Sequence, residues 1–177
     1  LRILNIAERR IGPSPELAKA LSGYASVCMA VPLFARARRY HRRALALNES
    51  LGFEGGIAKS CELMGYFYEW SGDFTAARLS FQRSLDIYRR LGDAKEYAMV
   101  LNGLEHCHYY AGEYWDALEV NQRYRSSAAL SDDAYAMSAV DIYYSQIYRE
   151  QGDLEAANRH AGRARDLSRD RAILFNY

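Results

Sequence analysis

The sequence predicts an all-α chain built as an array of helical hairpins. Three observations carry that expectation. Gly72-Asp73-Phe74, Gly112-Glu113-Tyr114 and Gly152-Asp153-Leu154 repeat a glycine, an acid and a bulky residue at a step of 40 residues. Ile11-Gly12, Leu51-Gly52 and Leu91-Gly92 repeat at the same step, each closing a run with helical periodicity. Within the runs, apolar residues fall at three- and four-residue spacing, the period of a helix with one buried face. A fixed step of this size marks stacked helical units that bury their apolar faces against one another.

Residues 57–92 show the unit most fully. Cys61, Met64, Gly65 and Tyr68 share one face of a first helix, and Phe74, Ala77, Phe81 and Leu85 one face of a second. Gly72 can take the left-handed conformation that ends the first helix. Asp73 can cap the second and suits its positive end.

In chain order, residues 1–12 read as the second helix of a truncated hairpin. Ser14 is placed as an N-cap, Pro15 as the first helical residue and Glu16 as a favourable first-turn charge. Repeat one spans 16–52, with Leu17, Leu21, Tyr24 and Cys28, then Phe34, Ala37, Ala44, Leu47 and Leu51. Pro32 stands where the other repeats have glycine, and it still breaks the helix. Repeat two is 57–92. Repeat three, 94–131, carries Val100, Leu101 and Leu104, then Tyr114, Ala117 and Val120. Repeat four, 133–169, carries Val140, Tyr144 and Tyr148, then Leu154, Ala157, Ala161 and Ala164. Residues 171–177 begin a further partial repeat or a cap. The chain starts at Leu1, not methionine, and both ends break inside the repeat frame. The reading therefore expects a piece of a longer protein, with stack ends able to self-associate.

Composition narrows the class. Half of the residues are hydrophobic and 13% aromatic, too apolar for a disordered chain. The net charge of +1 argues against a dedicated polyanion binder. Only Lys19, Lys59 and Lys95 are lysines, so arginine carries nearly all the basic charge. Such arginine-heavy, alanine-rich usage suits a GC-rich bacterial coding sequence. Cys28, Cys61 and Cys107 are an odd number without framework spacing, which suggests free thiols and a reducing, cytoplasmic setting. The longest apolar run, near residues 24–35, contains Pro32 and is too short to span a membrane. No signal peptide is visible.

The repeated positions resemble the tetratricopeptide repeat family. Repeat two gives Cys61, Met64, Gly65 and Tyr68, then Ala77 and Phe81. Repeat one gives Leu21, Tyr24, Ala25 and Cys28, then Ala37 and His41. Repeat three gives Leu101, Leu104, Glu105 and His108, then Ala117 and Asn121. Repeat four gives Asp141, Tyr144, Ser145 and Tyr148, then Ala157 and Ala161. The resemblance covers essentially the whole chain and implies an all-α, right-handed superhelical solenoid of about four hairpins with partial ends. It departs from the family in two ways. Glu105 sits where a small residue lets the two helices approach, so a distortion of repeat three is expected. The step also exceeds the usual one of about 34 residues, which adds roughly 9 Å of helix per hairpin. The longer step looks like the arrays of kinesin light chains and of bacterial signalling ATPases and transcription regulators. More narrowly, Leu4-Asn5-Ile6-Ala7-Glu8-Arg9 with Gly12-Pro13-Ser14-Pro15-Glu16-Leu17 looks like the C-terminal repeat region of bacterial cyclase–ATPase and kinase–ATPase proteins.

In that family the first helices line a concave groove that binds peptides or other protein segments. Mapped by position, the groove would take Lys59, Glu62, Tyr66 and Glu69 from repeat two, and Asn102, His106, Tyr109 and Tyr110 from repeat three. Repeat four would add Tyr143, Gln146 and Arg149. Tyrosine and arginine are residue types that interfaces favour. The plainer reading is that several of these tyrosines pack between long helices.

Other chemistry has little support. Glu105-His106-Cys107-His108 puts its histidines two apart, on different sides of a helix, so no metal site is expected. Glycine-rich phosphate motifs and a recognisable nucleophile constellation are absent, and neither a cofactor nor an enzyme is expected. Arg36, Arg38, Arg39, His41, Arg42 and Arg43 cluster on one second helix. A nucleic-acid surface would need a basic stripe across repeats, and the other second helices are mixed in charge. A solvated face with acidic neighbours is the plainer reading. The function expected is a non-catalytic scaffold for a peptide or partner domain. The alternative is a regulatory or sensor segment of a larger bacterial signalling ATPase, cyclase or transcription regulator, acting on its own parent chain or through a small effector.

Overall fold

The computed structural model describes residues 12–130 and 134–172. The helix expected over residues 1–12 and most of the partial element at 171–177 lie outside the described residues. The described residues form eight helices and no strand: α1 (Pro15–Ala30), α2 (Phe34–Ser50), α3 (Glu54–Trp70), α4 (Phe74–Leu91), α5 (Ala94–Tyr110), α6 (Tyr114–Leu130), α7 (Ala134–Glu150) and α8 (Leu154–Ala172). None of them is long and apolar enough to cross a membrane. The chain divides into two compact units, Leu1–Asp93 and Ala94–Tyr177.

The helix ends follow from the glycine step. Gly52, Gly72, Gly92, Gly112 and Gly152 all have positive φ, from 62° to 83°. At each, the next residue's N–H reaches back to a carbonyl five residues earlier, as in Asp73 to Tyr68 at 2.9 Å and Glu113 to His108 at 2.9 Å. This closure satisfies carbonyls that a helix end leaves open. Pro32 cannot adopt that conformation, yet Leu33 N–H still reaches Cys28 O at 2.7 Å. The expected caps are present. Ser14 Oγ accepts from Leu17 N–H at 3.2 Å, and Asp73 and Asp153 accept from Ala76 and Ala156 N–H at 3.0 and 2.9 Å.

In the first unit α1 packs on α2, α2 on α3 and α3 on α4, and α1 also touches α3. Leu17, Leu21, Ala25, Tyr40 and Ala44 form one core cluster, and Cys28, Met29, Ala37 and Phe67 a second. In the second unit α5 packs on α6, α6 on α7 and α7 on α8. Its core includes Val100, Leu101, Leu104, Val120, Val140 and Ile147, all buried. Side chains tie second helices to neighbouring first helices by bonding backbone carbonyls. Asn48 Nδ2 donates to Gly56 O, and Asn121 Nδ2 to Val140 O, each at 3.0 Å.

Each hairpin closes where a first-helix residue meets a second-helix residue. A Cβ built on Gly65 would lie 2.5 Å from the Phe81 ring, and Phe81 is fully buried. Glycine at 65 is thus the condition for phenylalanine at 81. The equivalent pairs are Ala25 with His41, Glu105 with Asn121 and Ser145 with Ala161. Repeat three has Glu105 where repeat two has glycine, and Asn121 where repeat two has the larger ring. Both Glu105 and Asn121 are fully buried. Asp141, in a position usually apolar, is buried against His160, with Oδ1 to Nδ1 at 2.6 Å. The His160 ring stacks on Tyr144 and Tyr148 at 4.8 and 5.5 Å between centroids.

Two buried groups make stability pH-dependent. Burial raises the Glu105 carboxyl to about 9 and lowers His41 to about 4. Among the described residues neither the Glu105 oxygens nor the His41 ring nitrogens have a hydrogen-bond partner. The native chain therefore holds Glu105 protonated and His41 neutral near pH 7.

Replacing Gly65 by alanine should lower stability by about 1–3 kcal/mol, read as a fall in the urea midpoint. An unchanged midpoint contradicts the Gly65–Phe81 closure. For pH, the signs are opposite. Between the ordinary carboxyl value of 4.5 and about 9, the native state binds a proton that the unfolded state has lost. Stability then falls as pH rises, by at most about 1.4 kcal/mol per unit. Between 6.5 and about 4, the unfolded state gains a proton on His41 that the native state refuses, so stability falls as pH drops. Glu105→Gln should flatten the first slope and His41→Leu the second in urea midpoints measured from pH 4 to 9. Profiles that keep the parent slopes contradict these assignments.

Candidate functional site

The first helices of the second unit bring five of the expected site residues together. On α5, His106, Tyr109 and Tyr110 follow helical spacing at its C-terminal end, and Tyr143 and Arg149 come from α7. The His106 ring lies edge-on to Tyr143 at 4.8 Å between centroids, and its Nε2 is hydrogen-bonded to the Tyr143 hydroxyl. Tyr110 meets His106 at 6.0 Å and Tyr109 at 5.3 Å, while Tyr109 meets Tyr114 of α6 at 5.9 Å. The Arg149 guanidinium lies near enough to Tyr109 for its charge to act on the phenol. It also donates to Glu150 Oε1 from Nε and an Nη2 at 3.3 and 2.8 Å. Burial, and then the Glu150 carboxylate, holds the Tyr109 phenol above its ordinary value. Tyr109 is half-buried and Tyr110 exposed, so the cluster has a fixed base and an accessible tip.

Beside it, at the turn end of the same unit, Gly112, Tyr114, Trp115, Tyr148, Gln151 and Asp153 line an open groove of about 560 Å³. Trp115 is 79% exposed and Leu154 63%. An exposed tryptophan lining a groove has the amphipathic contact area that binding surfaces use. Sequence reasoning missed Trp115 because it follows the turn and belongs to a second helix. The signal was a tryptophan off the helical stripe of Ala117 and Val120.

The remaining expected residues lie elsewhere. Asn102 is half-buried on α5. Gln146 lines a separate groove of about 360 Å³ with Ile142, Ser145, Ala161, Ala164 and Arg165. In the first unit, Lys59 is exposed and pairs with Glu62 at 2.9 Å. Glu62 and Glu69 are buried, a correction to their placement on an open face. The reason is register: they stand three before and four after Gly65, so they share the stripe that Gly65 buries. Tyr66 is half-buried, edge-on to Phe81 at 5.1 Å, which matches the plainer reading of that tyrosine.

The two α5 histidines diverge as their spacing requires. His106 faces Tyr143, whereas His108 Nδ1 meets Glu113 Oε2 at 2.7 Å. His108, Glu113 and Asp116 place possible ligand atoms within 4.8 Å of one another. Those three residues are where a metal ion could be held in the described part of the chain. The set was readable only across the Gly112 turn, as His108 with acids five and eight residues on.

Paired helices, glycine turns and small-to-large closures define a helical-hairpin repeat protein. Residues 57–129, from α3 into α6, match the family model described as tetratricopeptide repeat, so that segment carries tetratricopeptide repeats. No curated protein sequence matches it. Among solved structures, BtubC (BKLC) from P. vanneervenii is 20% identical with a TM-score of 0.78, over 93% of this chain and 67% of that one. Aspartyl phosphate phosphatase F from Bacillus subtilis is 13% identical with a TM-score of 0.82, over 89% of this chain and 42% of that one. This chain thus spans less than half the length of the Bacillus protein. A putative kinesin light chain from Podosopora anserina, with nearly identical TPR-like repeats, is 12% identical with a TM-score of 0.79, over 97% of this chain and 84% of that one. At these identities the likeness is one of fold.

A double-mutant cycle between His106→Ala and Tyr143→Phe, which deletes the hydroxyl but keeps the ring, should return a coupling of about 0.5–1.5 kcal/mol in urea unfolding, the range for a side-chain hydrogen bond. Additive effects would contradict the pairing across α5 and α7.

Proposed function

We propose that this chain is a protein-interaction module and that the second unit's face of His106, Tyr109, Tyr110, Tyr143 and Arg149 binds an extended segment of a partner protein. The observation that carries this reading is the gathering of four aromatic side chains and an arginine on two successive first helices. The residue types favour it. Tyrosine offers a rigid ring with a polar tip, and arginine adds planar hydrogen bonding, which together mark the energetic centres of interfaces. The ring contacts already fix Tyr109 and Tyr143, so little side-chain freedom remains to be lost on binding. The adjoining groove at Trp115 would extend the contact beyond one helix pair.

Peptides selected from a random displayed library against the whole chain provide the probe. The selected peptides, labelled with fluorescein, should lose at least ten-fold in affinity on Tyr109→Ala or Tyr143→Ala. Lys19→Ala, on an exposed side of α1, should leave affinity within two-fold. Selected peptides whose binding survives both tyrosine variants would remove this face as the site.

A further inference from the structure

The arginine-rich helix of the first unit fits a partner of different chemistry. Residues 34–50 of α2 hold five arginines and one acid, Glu49, in a chain whose net charge is +1. Glu49 is taken by Arg83 of α4 at 2.6 Å. Arg38, Arg39, Arg42 and Arg43 are all exposed and lie opposite the buried Ala37, Ala44 and Asn48. With Ala35 and Ala46 they line a shallow groove of about 410 Å³.

Several arginines on the other second helices find acids. Arg83 and Arg90 pair with Glu49 and Glu54, and Arg159 with Glu155. No carboxylate among the described residues pairs with Arg36, Arg38, Arg39 or Arg42. The acidic neighbours that the sequence reading supplied from adjacent helices do not reach them. Like charges one turn apart oppose helix formation, and among the described residues no carboxylate offsets the Arg38 and Arg42 pair. Two of the guanidinium groups are nevertheless positioned: Arg39 and Arg43 lie over the ring of Tyr40 at 5.0 and 5.3 Å, and Tyr40 is buried. Arg39 also donates to the Tyr40 hydroxyl at 3.3 Å.

We infer that this α2 face docks an acidic, extended peptide segment of a partner protein, with Arg38 and Arg42 each taking a carboxylate. The spacing selects the partner. Residues four apart on a helix rise about 6 Å along its axis, and alternate residues of an extended chain are about 6.6 Å apart. Acidic residues at alternate positions therefore meet successive arginines, where each guanidinium can hold a carboxylate through two bonds. Nucleic acid fits less well. The matching positions of α4 are Arg78, Leu79, Gln82 and Arg83, and Arg83 is taken by Glu49 at 2.6 Å, so the basic stripe of α2 does not continue at equal density.

The test uses fluorescein-labelled Glu-Ser-Glu-Ser-Glu-Ser-Glu, a block isomer Glu-Glu-Glu-Glu-Ser-Ser-Ser, and an oligothymidylate of matched charge. Each is titrated with the whole chain by anisotropy at one ionic strength. The alternating peptide should bind tightest. Arg38→Glu with Arg42→Glu should weaken it ten-fold or more, and Arg38→Gln with Arg42→Gln should weaken it less but in the same direction. Both variants keep the buried face intact, and a thermal midpoint at or above that of the parent confirms folding. Arg163→Glu, exposed on α8, should change affinity less than two-fold. The inference is overturned by absent binding, by unchanged affinity in both double variants, or by the block isomer or oligonucleotide binding as tightly as the alternating peptide.

Discussion

The close approach of two helices within each hairpin is the constraint on which the remaining structure depends. At Gly65 and Phe81 the approach is so close that a single added carbon would enter the buried ring. That closeness sets which faces are left for the next helix and where the first-helix side chains emerge. It also explains why the four repeats need not share residues. Ala25 with His41, Gly65 with Phe81, Glu105 with Asn121 and Ser145 with Ala161 stand at the same two positions of the repeat. Where the crossing is buried, as at Gly65 and Phe81, a larger group on one helix requires a smaller one opposite, whereas Ser145 and Ala161, both small, line an open groove.

Two of these crossings hold ionisable groups in their neutral forms. His41 and Glu105 are buried without hydrogen-bond partners among the described residues. Each gives up stability that an apolar residue of similar volume would keep. They lie in different units, so acid and alkaline conditions stress different halves of the chain. Asp141 shows the alternative arrangement, a buried carboxylate met by His160 between tyrosine rings. The hairpin geometry thus accepts polar residues in two ways, by neutralising them or by pairing them.

Much of this was legible in the sequence, because backbone requirements are local. The glycine turns, the Ser14 and Asp73 caps and the core stripes follow from one residue's conformational range or from helical periodicity. What was not legible required two helices at once. Glu105 read as a distortion, and its burial without a hydrogen-bond partner was not legible from its position alone. Glu62 and Glu69 were mapped by family position, although their spacing from Gly65 places them on the buried stripe. The α5–α7 aromatic cluster was legible as a set of positions, while the contact between His106 and Tyr143 was not. The arginines of α2 were visible, but whether acids reached them depended on side chains from other helices.

The measurement that tests the central constraint most directly is a transplant of one crossing into another. Glu105→Gly, Asn121→Phe and the double variant would be compared with the parent in urea unfolding at pH 7. Glycine alone leaves a void and phenylalanine alone overfills the site, so each single change should destabilise. Together they restore the combination found at Gly65 and Phe81. The double variant should therefore be more stable than the sum of the single effects allows, by about 1 kcal/mol or more, as expected for residues in direct contact. Additive losses would show that the two positions do not share one closure, and the account of the hairpin would fail.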